Sequence, residues 1–368
     1  MAEKFHMIDY IHEGPEALRK TLVDNEEKLL RFVDRCHVHG IQRLVVTGLG
    51  SSFAAAKMAE PMFRSACPLP VMMVNSEEAA YYSDKWFSPE SLVVSMSRSG
   101  ERGSAVEVQK LIRDAGGLGL AVTSRSDNLL SEYAGETFVT QEGPEISFPK
   151  TKSVMACTGI LMRLALGFGD RKDSNIIGWL ERLRVMPGIV EENIRILEPA
   201  IKDLLPEITA HRMLNVAGTG SNHGLALDAA VKVQESSFVP TRGDSTAGLF
   251  HGPVGALNEY WLVLALVTPE DRDVTVDLLK QVRTFKAHSL CVQDPGVDVG
   301  EFADFTVNLS SSEDIRLAAL AFMPAVQLLA YYWTISRSMN PDKPSSMDSL
   351  MDAMVPPGRS EAEFKQEE

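Results

Sequence analysis

Short apolar stretches rich in β-branched residues alternate along this chain with longer segments whose apolar residues recur at helical spacing. The first forty residues have the helical pattern, with leucines and a phenylalanine spaced among charges between Glu16 and Phe32. Beyond them, short apolar runs predict strands at 43–47, 71–74, 91–95, 118–123 and 136–140. Helices are predicted over 76–82 and 151–166. One further helix is predicted to begin at about 53, and another to end at about 115.

The same order of elements recurs in the second half of the chain. Residues 212–222 echo residues 43–52, because each stretch is an apolar strand followed by Gly-x-Gly-Ser. Further strands are predicted over 261–267, 288–293 and 304–309, and further helices over 225–237, 271–287 and 315–335. This shared order of elements supports an internal duplication, for which the short sequence similarity alone would be weak evidence.

Strands that alternate with helices of this length predict parallel sheets covered by helices on both faces. We therefore expect an α/β protein built from two similar units in tandem. The expected parts are an N-terminal helical segment (1–40), a first unit (41–172), a helical connector (173–205), a second unit (206–338) and a C-terminal loop and tail (339–368). The tail is rich in Pro, Ser, Met and acid, so we expect it to fray at its end.

The composition is typical of a folded globular protein and narrows the choice of partners. The 368 residues are 45% hydrophobic and 23% charged, and this length predicts two domains. A net charge of −14 argues against nucleic acid and against an anionic membrane, because both need a basic face on the protein. We expect no membrane-spanning helix, because we find no apolar run close to about 18 residues. The N-terminal segment carries acidic residues where a signal peptide needs an uninterrupted apolar stretch, so a cytoplasmic location is expected.

We expect neither a disulfide framework nor a metal site. The cysteines are far apart, lie in or beside apolar segments and form no Cys-x-x-Cys pair; they are Cys36, Cys67, Cys157 and Cys291. Buried free thiols are the expected state. In the N-terminal helical region, no pair of histidines has a Glu or Cys partner at zinc spacing.

The two Gly-x-Gly turns lie where a dinucleotide-binding fold places its phosphate loop, but neither completes that fingerprint. The fingerprint needs a third glycine three residues on, and those positions hold Phe53 and His223. No acidic residue ends the next strand to bind a ribose. We therefore expect no cofactor. A tight turn explains the glycines, but it does not explain the serines beside them.

A serine-rich turn after the third predicted strand is a stronger candidate for a phosphate site. The sequence Ser-Met-Ser-Arg-Ser-Gly-Glu at 95–101 places hydroxyls and a glycine where a strand ends and a helix is predicted to begin. Free N–H groups and the positive end of the helix dipole would then point at one spot. The structural alternative is a serine-rich helix cap. Ser51 and Ser52 follow a neighbouring strand, which favours a ligand site at the carboxyl ends of both strands.

These serine turns, together with Phe-His-Gly-Pro at 250–253, resemble the sugar isomerase (SIS) fold. Nearly the whole chain is similar in layout to the isomerase half of glutamine–fructose-6-phosphate amidotransferase, which has two SIS domains in tandem. The resemblance implies flavodoxin-like three-layer domains with a phosphorylated sugar bound between them. It implies that the phosphate is held by Ser51, Ser52, Ser97, Ser99 and the backbone at Arg98. A threonine is usual in the family at the position of Arg102. The arginine either replaces the hydroxyl contact with an ionic one or points to solvent.

The second unit carries the candidate acid–base residues. Asp228, Lys232 and Glu235 are spaced i, i+4 and i+7 on one helix face, a pattern that is usually a solvated ion-pair stripe. His251 follows sixteen residues after Glu235, in a loop with glycine and proline. The resemblance implies that Glu235 moves a proton between sugar carbons, that Lys232 keeps Glu235 ionised and that His251 assists ring opening. It also implies that the histidine comes from a neighbouring subunit, so a homodimer with shared sites is expected.

Two departures from the amidotransferase bear on the reaction. The chain has no N-terminal cysteine nucleophile and no glutaminase domain, so we expect no glutaminase activity. The lysine that forms a Schiff base in that family falls on Ser349 here, and Lys343 lies at another register. The chain also resembles fructosamine-6-phosphate deglycases, whose substrate brings its own nitrogen. We therefore expect cleavage of a fructosamine (Amadori) 6-phosphate to glucose 6-phosphate and an amine.

Departures from the deglycases leave two other functions open. The deglycases lack the long C-terminal extension that follows the last helix of this chain, and Leu249 stands where an acidic residue is common in them. One alternative is an amino-sugar-phosphate deaminase or ketose–aldose isomerase, and the other is a non-catalytic protein that binds a sugar phosphate. Lys150 and Lys152 lie in a family loop near the sugar, where they either meet an acidic group of the substrate or are solvated.

Overall fold

The protein forms two parallel five-stranded sheets with helices around them, in a computed structural model that describes residues 5–82 and 84–343. The first sheet consists of β1 (Arg43–Gly48), β2 (Val71–Asn75), β3 (Ser91–Met96), β4 (Leu118–Thr123) and β5 (Glu136–Val139). The second consists of β6 (Met213–Gly218), β7 (Thr241–Ser245), β8 (Trp261–Val267), β9 (His288–Gln293) and β10 (Phe305–Asn308). The expected α/β fold of two tandem units is confirmed.

The two sheets have the same topology. Their strand orders are β2-β1-β3-β4-β5 and β10-β9-β8-β6-β7, and in both sheets all neighbouring strands pair in parallel. In the first sheet, the chain leaves β1 towards β2 on one side and returns to β3 on the other. The carboxyl ends of β1 and β3 therefore flank the switch point at which open α/β sheets bind ligands.

Twelve α-helices surround the sheets within the described residues. Those of the first half are α1 (His6–His39), α2 (Ser51–Ala66), α3 (Ser76–Tyr82), α4 (Ser104–Asp114), α5 (Leu129–Tyr133) and α6 (Lys152–Phe168). The stretch proposed as the connector contains α7 (Ser174–Asp203), and α8 (Leu205–Thr209) begins at its last residue. The second half contains α9 (Ser221–Ser237), α10 (Thr246–Phe250), α11 (Arg272–Thr284) and α12 (Ala318–Ser336).

The two units share one apolar core, and α2 meets α9 at its centre. A continuous cluster of buried side chains includes Leu44 of β1, Met58 of α2, Leu225 of α9 and Leu264 of β8. Gly224 allows the two helices to touch, since a Cβ there would lie 2.3 Å from the backbone nitrogen of Met58. This contact fixes the position of α9, which carries Lys232 and Glu235, relative to the serine turn that begins α2.

The helix α12 corrects one premise taken from the sequence. By length and the composition of its most apolar window it is apolar enough to cross a membrane, so the premise that the chain has no apolar run close to about 18 residues was wrong, while the prediction of no membrane-spanning helix is not contradicted. In the structure, 94% of that window is buried. It packs against α7 and α9, and its apolar residues are those of a core helix.

The strand β7 was missed in the sequence. Its residues Thr-Arg-Gly-Asp-Ser contain a glycine and two charges, which is the composition of a loop. The strand lies at the edge of the second sheet and pairs only with β6, so most of its side chains are not fully buried and can be polar. Its backbone supplies the ladder hydrogen bonds that define the strand.

Of the C-terminal loop and tail (339–368), the structure describes residues 339–343. The Asp342 carboxylate accepts hydrogen bonds from the backbone N–H groups of His6 and Met7 at 2.6 and 2.7 Å, and so caps α1. The Asp342 carbonyl also accepts the N–H of Phe148 at 2.8 Å. This segment therefore joins α1 to the loop that contains Lys150. Ser349, the position of the amidotransferase lysine, lies outside the described residues.

Candidate functional site

The turn after β1 places two serines at the start of a helix. Gly50 has a φ of 56°, a value that favours glycine, and α2 begins at the next residue. A Cβ on Gly48 would lie 2.8 Å from the Cβ of Ser52, so this turn is tightly closed. Ser51 and Ser52 therefore lie in the first turn of α2, where free N–H groups and the helix dipole favour an anion.

The turn after β3 is held rigidly but does not begin a helix. The carbonyl of Arg98 accepts hydrogen bonds from the Thr123 hydroxyl at 2.9 Å and from the Ser124 hydroxyl at 2.8 Å. The Ser97 hydroxyl accepts the Gly100 N–H at 3.2 Å. The expected helix starts only at Ser104, because both Gly100 and Gly103 have positive φ values and extend the turn. The helix dipole at this site thus comes from α2 and not from α4.

These two turns form one wall of an open cleft with about 400 Å³ of space. The cleft is lined by Ser51, Ser52, Met96, Ser97, Arg98, Val122, Thr123, Thr140, Glu142, Lys150, Ser153, Val154 and Cys157. Of the residues proposed to hold phosphate, four are therefore brought together. Ser99 is exposed, and neither Ser99 nor Arg102 is among the described residues that line the cleft.

The corresponding turn of the second unit is closed by the protein itself. Ser221 begins α9 as Ser51 begins α2, but its N–H and hydroxyl both donate to the Ile315 carbonyl, at 3.2 and 2.7 Å. A Cβ on Gly220 would lie only 2.6 Å from the Ile315 side chain. After β8, Thr268 follows the strand as Ser97 follows β3, but its N–H and hydroxyl both donate to the Asp271 carboxylate, at 2.8 and 2.9 Å. Of the two duplicated turns, only the first is open to an anion.

Lys232 links the second unit to this cleft. Its Nζ donates to the Ser51 hydroxyl at 2.7 Å and lies 3.4 Å from an Asp228 carboxylate oxygen. The side chains of Lys232 and Asp228 are fully buried. The Asp228–Lys232–Ser51 chain therefore replaces the solvated stripe that the spacing alone suggested. It also fixes the orientation of a serine in the proposed phosphate site.

Glu235 lies one helical turn beyond Lys232 and has the electrostatics of a proton-transfer group. Burial raises the pKa of Glu235, and the charge of Asp228 raises it further. The charges of Lys232 and Lys150 lower it. Glu235 is not among the described residues that line the cleft, although the charge of Lys150, which does line it, lowers the pKa of Glu235. A carboxyl group with a raised pKa can both accept and return a proton near neutral pH.

The two lysines of the loop at 145–152 have different surroundings. Lys150 donates to the carbonyls of Glu145 and Ser147 at 3.2 and 2.8 Å and lines the cleft. Lys152 instead pairs with Glu13 of α1 at 2.7 Å and lies over the Tyr10 ring, 4.3 Å from its centroid. The structure thus directs Lys152 towards α1 and leaves Lys150 as the lysine of the cleft.

Two carboxylates near the cleft were not singled out from the sequence. Glu145 is fully buried at the start of α6, where it accepts the N–H groups of Thr151 and Lys152 at 2.6 and 3.1 Å. Burial acts to raise the pKa of Glu145, but the Lys150 charge and these hydrogen bonds hold it below its usual value. Glu142 is 5% exposed and lines the cleft. The Glu-Gly-Pro-Glu sequence resembles an ordinary polar loop, so the pattern gave no signal of burial.

Cys157 also lines the cleft but does not have the properties of a nucleophile. Burial raises the pKa of its thiol to about 12, and the nearby Glu142 charge adds to the rise. The other three cysteines are buried and free, as expected from the sequence.

His251 does not line the cleft formed by one chain. It follows α10, its ring is exposed, and it is not among the described residues that line the cleft. Lys343 lies in the segment that contacts α1 and the loop at 145–152, and it does not line the cleft. The structure therefore brings Lys232 to the serine turns through its hydrogen bond to Ser51, while Glu235, His251 and Lys343 are not among the described residues that line the cleft.

A comparison with protein-family models finds the SIS domain twice, over residues 38–166 and 207–337. The chain belongs to the SIS domain family. The two matched segments contain the two sheets, so the tandem arrangement of this SIS protein is also shown. The resemblance found in the serine turns is thereby confirmed at the level of the family.

Relatives of this SIS protein include enzymes of phosphosugar chemistry. It is 26% identical over 356 residues to glutamine–fructose-6-phosphate aminotransferase (isomerizing) from Pyrococcus horikoshii, covering 94% of this chain and 58% of that protein. The chain thus spans little more than half the length of that relative. Among solved structures, the C-terminal domain of glucosamine-fructose-6-phosphate aminotransferase from Francisella tularensis has a TM-score of 0.79 at 21% identity, covering 93% and 99% of the two chains. Glucosamine-6-phosphate deaminase from Thermotoga maritima has a TM-score of 0.74 at 20% identity, covering 92% and 97%.

Proposed function

We propose that this SIS protein is a sugar-phosphate enzyme that transfers a proton between C1 and C2 of its substrate, and that it releases an amine from a fructosamine (Amadori) 6-phosphate. The observation that carries the proposal is the position of Glu235. Glu235 lies one helical turn beyond Lys232, whose Nζ donates to Ser51 in the open one of the two duplicated serine turns, and burial raises the pKa of Glu235. The relatives support a reaction on a phosphosugar, since their names describe isomerizing and deaminating enzymes.

The phosphate would bind at the two serine turns. The first turn of α2 offers N–H groups and the Ser52 hydroxyl, and the turn after β3 offers Ser97. Ser51 accepts a hydrogen bond from Lys232, so its own hydroxyl proton can point to a phosphate oxygen. Binding the phosphate here supplies energy that orients C1 and C2 relative to Glu235.

Glu235 would then carry out both proton transfers. Removal of a proton from C1 of the ketoamine gives an enolamine, and return of a proton to C2 gives an imine at C1. Water adds to C1, and the C1–N bond breaks to release the amine and glucose 6-phosphate. The nitrogen of the substrate takes the place of a lysine amine, so this route needs no Schiff base with the protein.

We further propose that His251 acts in the cleft of a second copy of the chain. The His251 ring is exposed, and within one chain it does not line the cleft. A homodimer that exchanges this loop would bring an imidazole to the sugar ring, where it could open the ring by moving a proton. Lys232 would keep Glu235 ionised by its charge, while its hydrogen bond orients Ser51.

A deaminase or ketose–aldose isomerase is the second candidate, and the relatives favour it. Both reactions use the same transfer between C1 and C2, but they differ in the product. The deaminase would convert glucosamine 6-phosphate to fructose 6-phosphate and ammonia. The isomerase would interconvert a ketose 6-phosphate and an aldose 6-phosphate without loss of nitrogen.

A proton NMR time course separates these reactions. The purified protein is incubated in turn with a 6-phosphofructosyl amino acid, glucosamine 6-phosphate and fructose 6-phosphate, with the Glu235→Gln variant as control. The proposal predicts glucose 6-phosphate and free amine from the first substrate only. Turnover of only the second or third substrate would establish the second candidate instead. Binding without turnover of any of them would show a sugar-phosphate-binding protein.

A further inference from the structure

Glu142 is a buried carboxylate without a hydrogen-bond donor, and it lies in the wall of the cleft. Among residues 5–82 and 84–343, neither of its carboxylate oxygens has a hydrogen-bond partner, and only 5% of the residue is exposed. The Nε of Arg98 lies 4.0 Å from the Glu142 carboxylate, which is too long for a hydrogen bond. Arg98 Nε is itself buried without an acceptor. Buried polar groups that lack partners are rare, and each needs an explanation.

Three hydroxyl groups that line the cleft with Glu142 direct their protons to other acceptors. Thr140 donates to the Thr123 carbonyl at 3.1 Å, and Thr123 donates to the Arg98 carbonyl at 2.9 Å. The Ser153 hydroxyl donates to the Glu145 carboxylate. A hydroxyl has a single proton to donate, so these three groups are occupied. These hydroxyls therefore offer Glu142 at most a shared proton, and a molecule in the cleft can supply a full hydrogen bond.

The charges around Glu142 indicate what kind of donor that is. Burial raises the pKa of Glu142, and the charge of Glu145 raises it further. The Thr140 hydroxyl, the Glu142 N–H and the charge of Arg98 lower it. Lys150, the other cation of the cleft, has its Nζ hydrogen-bonded to two backbone carbonyls. A carboxylate in a cleft that takes a phosphate dianion weakens binding by repulsion, unless the ligand presents a cation to it. A cation offsets both the desolvation of the carboxylate and this repulsion, whereas a hydroxyl offsets neither fully.

We propose that Glu142 recognises a protonated amine of the substrate, so that the cleft selects sugar phosphates that carry a cationic nitrogen. The inference rests on the proposed function, because it takes the phosphate to lie at the serine turns. It adds a specificity-determining residue: the serines bind any sugar phosphate, and Glu142 favours those with an amine. Fructosamine 6-phosphate and fructose 6-phosphate differ only in having nitrogen or oxygen on C1, so their relative affinities measure this preference directly.

The test is calorimetric binding of these two ligands to the full chain and to Glu142→Gln, which keeps the shape of the side chain and removes its charge. The wild-type protein should prefer fructosamine 6-phosphate by about tenfold or more, and Glu142→Gln should abolish that preference. Affinity for fructose 6-phosphate should stay the same or rise in the variant. Glu107→Gln, an exposed carboxylate on α4 paired with Lys110, is the matched control and should retain the preference.

Three results would overturn the inference, and they have different meanings. An unchanged preference in a folded Glu142→Gln protein, checked by its thermal melt, would show that Glu142 does not read the amine. An equal loss of affinity for both ligands would show that it binds a hydroxyl common to both. If the wild-type protein bound neither ligand while Glu142→Gln remained folded, the sugar-phosphate function itself would fail, and the inference with it.

Discussion

Replacing Lys232 by methionine should destabilise the protein strongly, because it leaves Asp228 as an isolated buried charge. Both side chains are fully buried, 3.4 Å apart, and neither Asp228 oxygen has a hydrogen-bond partner among the described residues. Methionine nearly matches the lysine stem in volume, so the packing around it should change little. The change therefore tests the charge pair and not the size of the side chain.

The expected loss is about 3–5 kcal/mol in the free energy of unfolding, which is typical when one partner of a buried ion pair is removed. Neutralising both partners should cost much less, so Asp228→Asn/Lys232→Met should lie within about 2 kcal/mol of the wild type. The two changes should therefore be strongly non-additive. The hydrogen bond to Ser51 is lost in both proteins and adds about 1 kcal/mol to each.

Urea unfolding followed by circular dichroism measures these differences in stability. The matched control is Lys280→Met, which removes an exposed lysine from an i,i+3 pair with Asp277 on α11 and should cost less than about 1 kcal/mol. The double variant should remain folded and yet have low turnover, because Ser51 loses its donor and Glu235 loses a neighbouring charge. The reasoning would be refuted if Lys232→Met were as stable as the control, or if the double variant lost the sum of the single losses.

Three further predictions concern packing, pH dependence and assembly. Gly224→Ala should cost about 1–3 kcal/mol because its Cβ would meet the backbone of α2 at 2.3 Å, while Gly178→Ala, with open space around it in α7, should be neutral or stabilising in the same urea assay. Lys150→Gln removes a charge that lowers the pKa of Glu235, so the acid limb of the kcat/KM profile should move to higher pH, and Lys150→Arg should leave the limb in place; equal profiles would exclude this coupling. If two subunits share each site, mixing inactive Glu235→Gln and His251→Asn proteins should restore about a quarter of wild-type turnover, whereas no restoration would place both residues in one subunit.

The elements with strong local patterns were predictable from the sequence, and the elements set by tertiary surroundings were not. The bounds of α3 and β4 follow from apolar runs ended by turn residues, and their predicted ranges agree with the structure. The edge strand β7 has almost no apolar pattern, because edge pairing requires only backbone groups. In α12 the sequence was misjudged, since an all-round apolar helix is typical both of a membrane span and of a core.

The candidate site was predictable in its residue types but not in its connections. The serine turns and the acid–base residues of α9 carried recognisable motifs, and the structure brings Ser51 and Lys232 into contact. The hydrogen bond between them joins residues 181 positions apart, which no local pattern can reveal. The closing of the second turn by Ile315 and the burial of Glu142 are also products of packing.

The most direct test of the account is the effect of Glu235→Gln on turnover and on binding, measured on the same protein. If Glu235 transfers the proton between C1 and C2, kcat on a 6-phosphofructosyl amino acid should fall by about 10²–10⁴-fold. The affinity for the sugar phosphate should change by less than about threefold, because the serine turns that bind the phosphate are intact. Turnover at the wild-type rate, with binding unchanged, would contradict the role of Glu235 and the mechanism built on it.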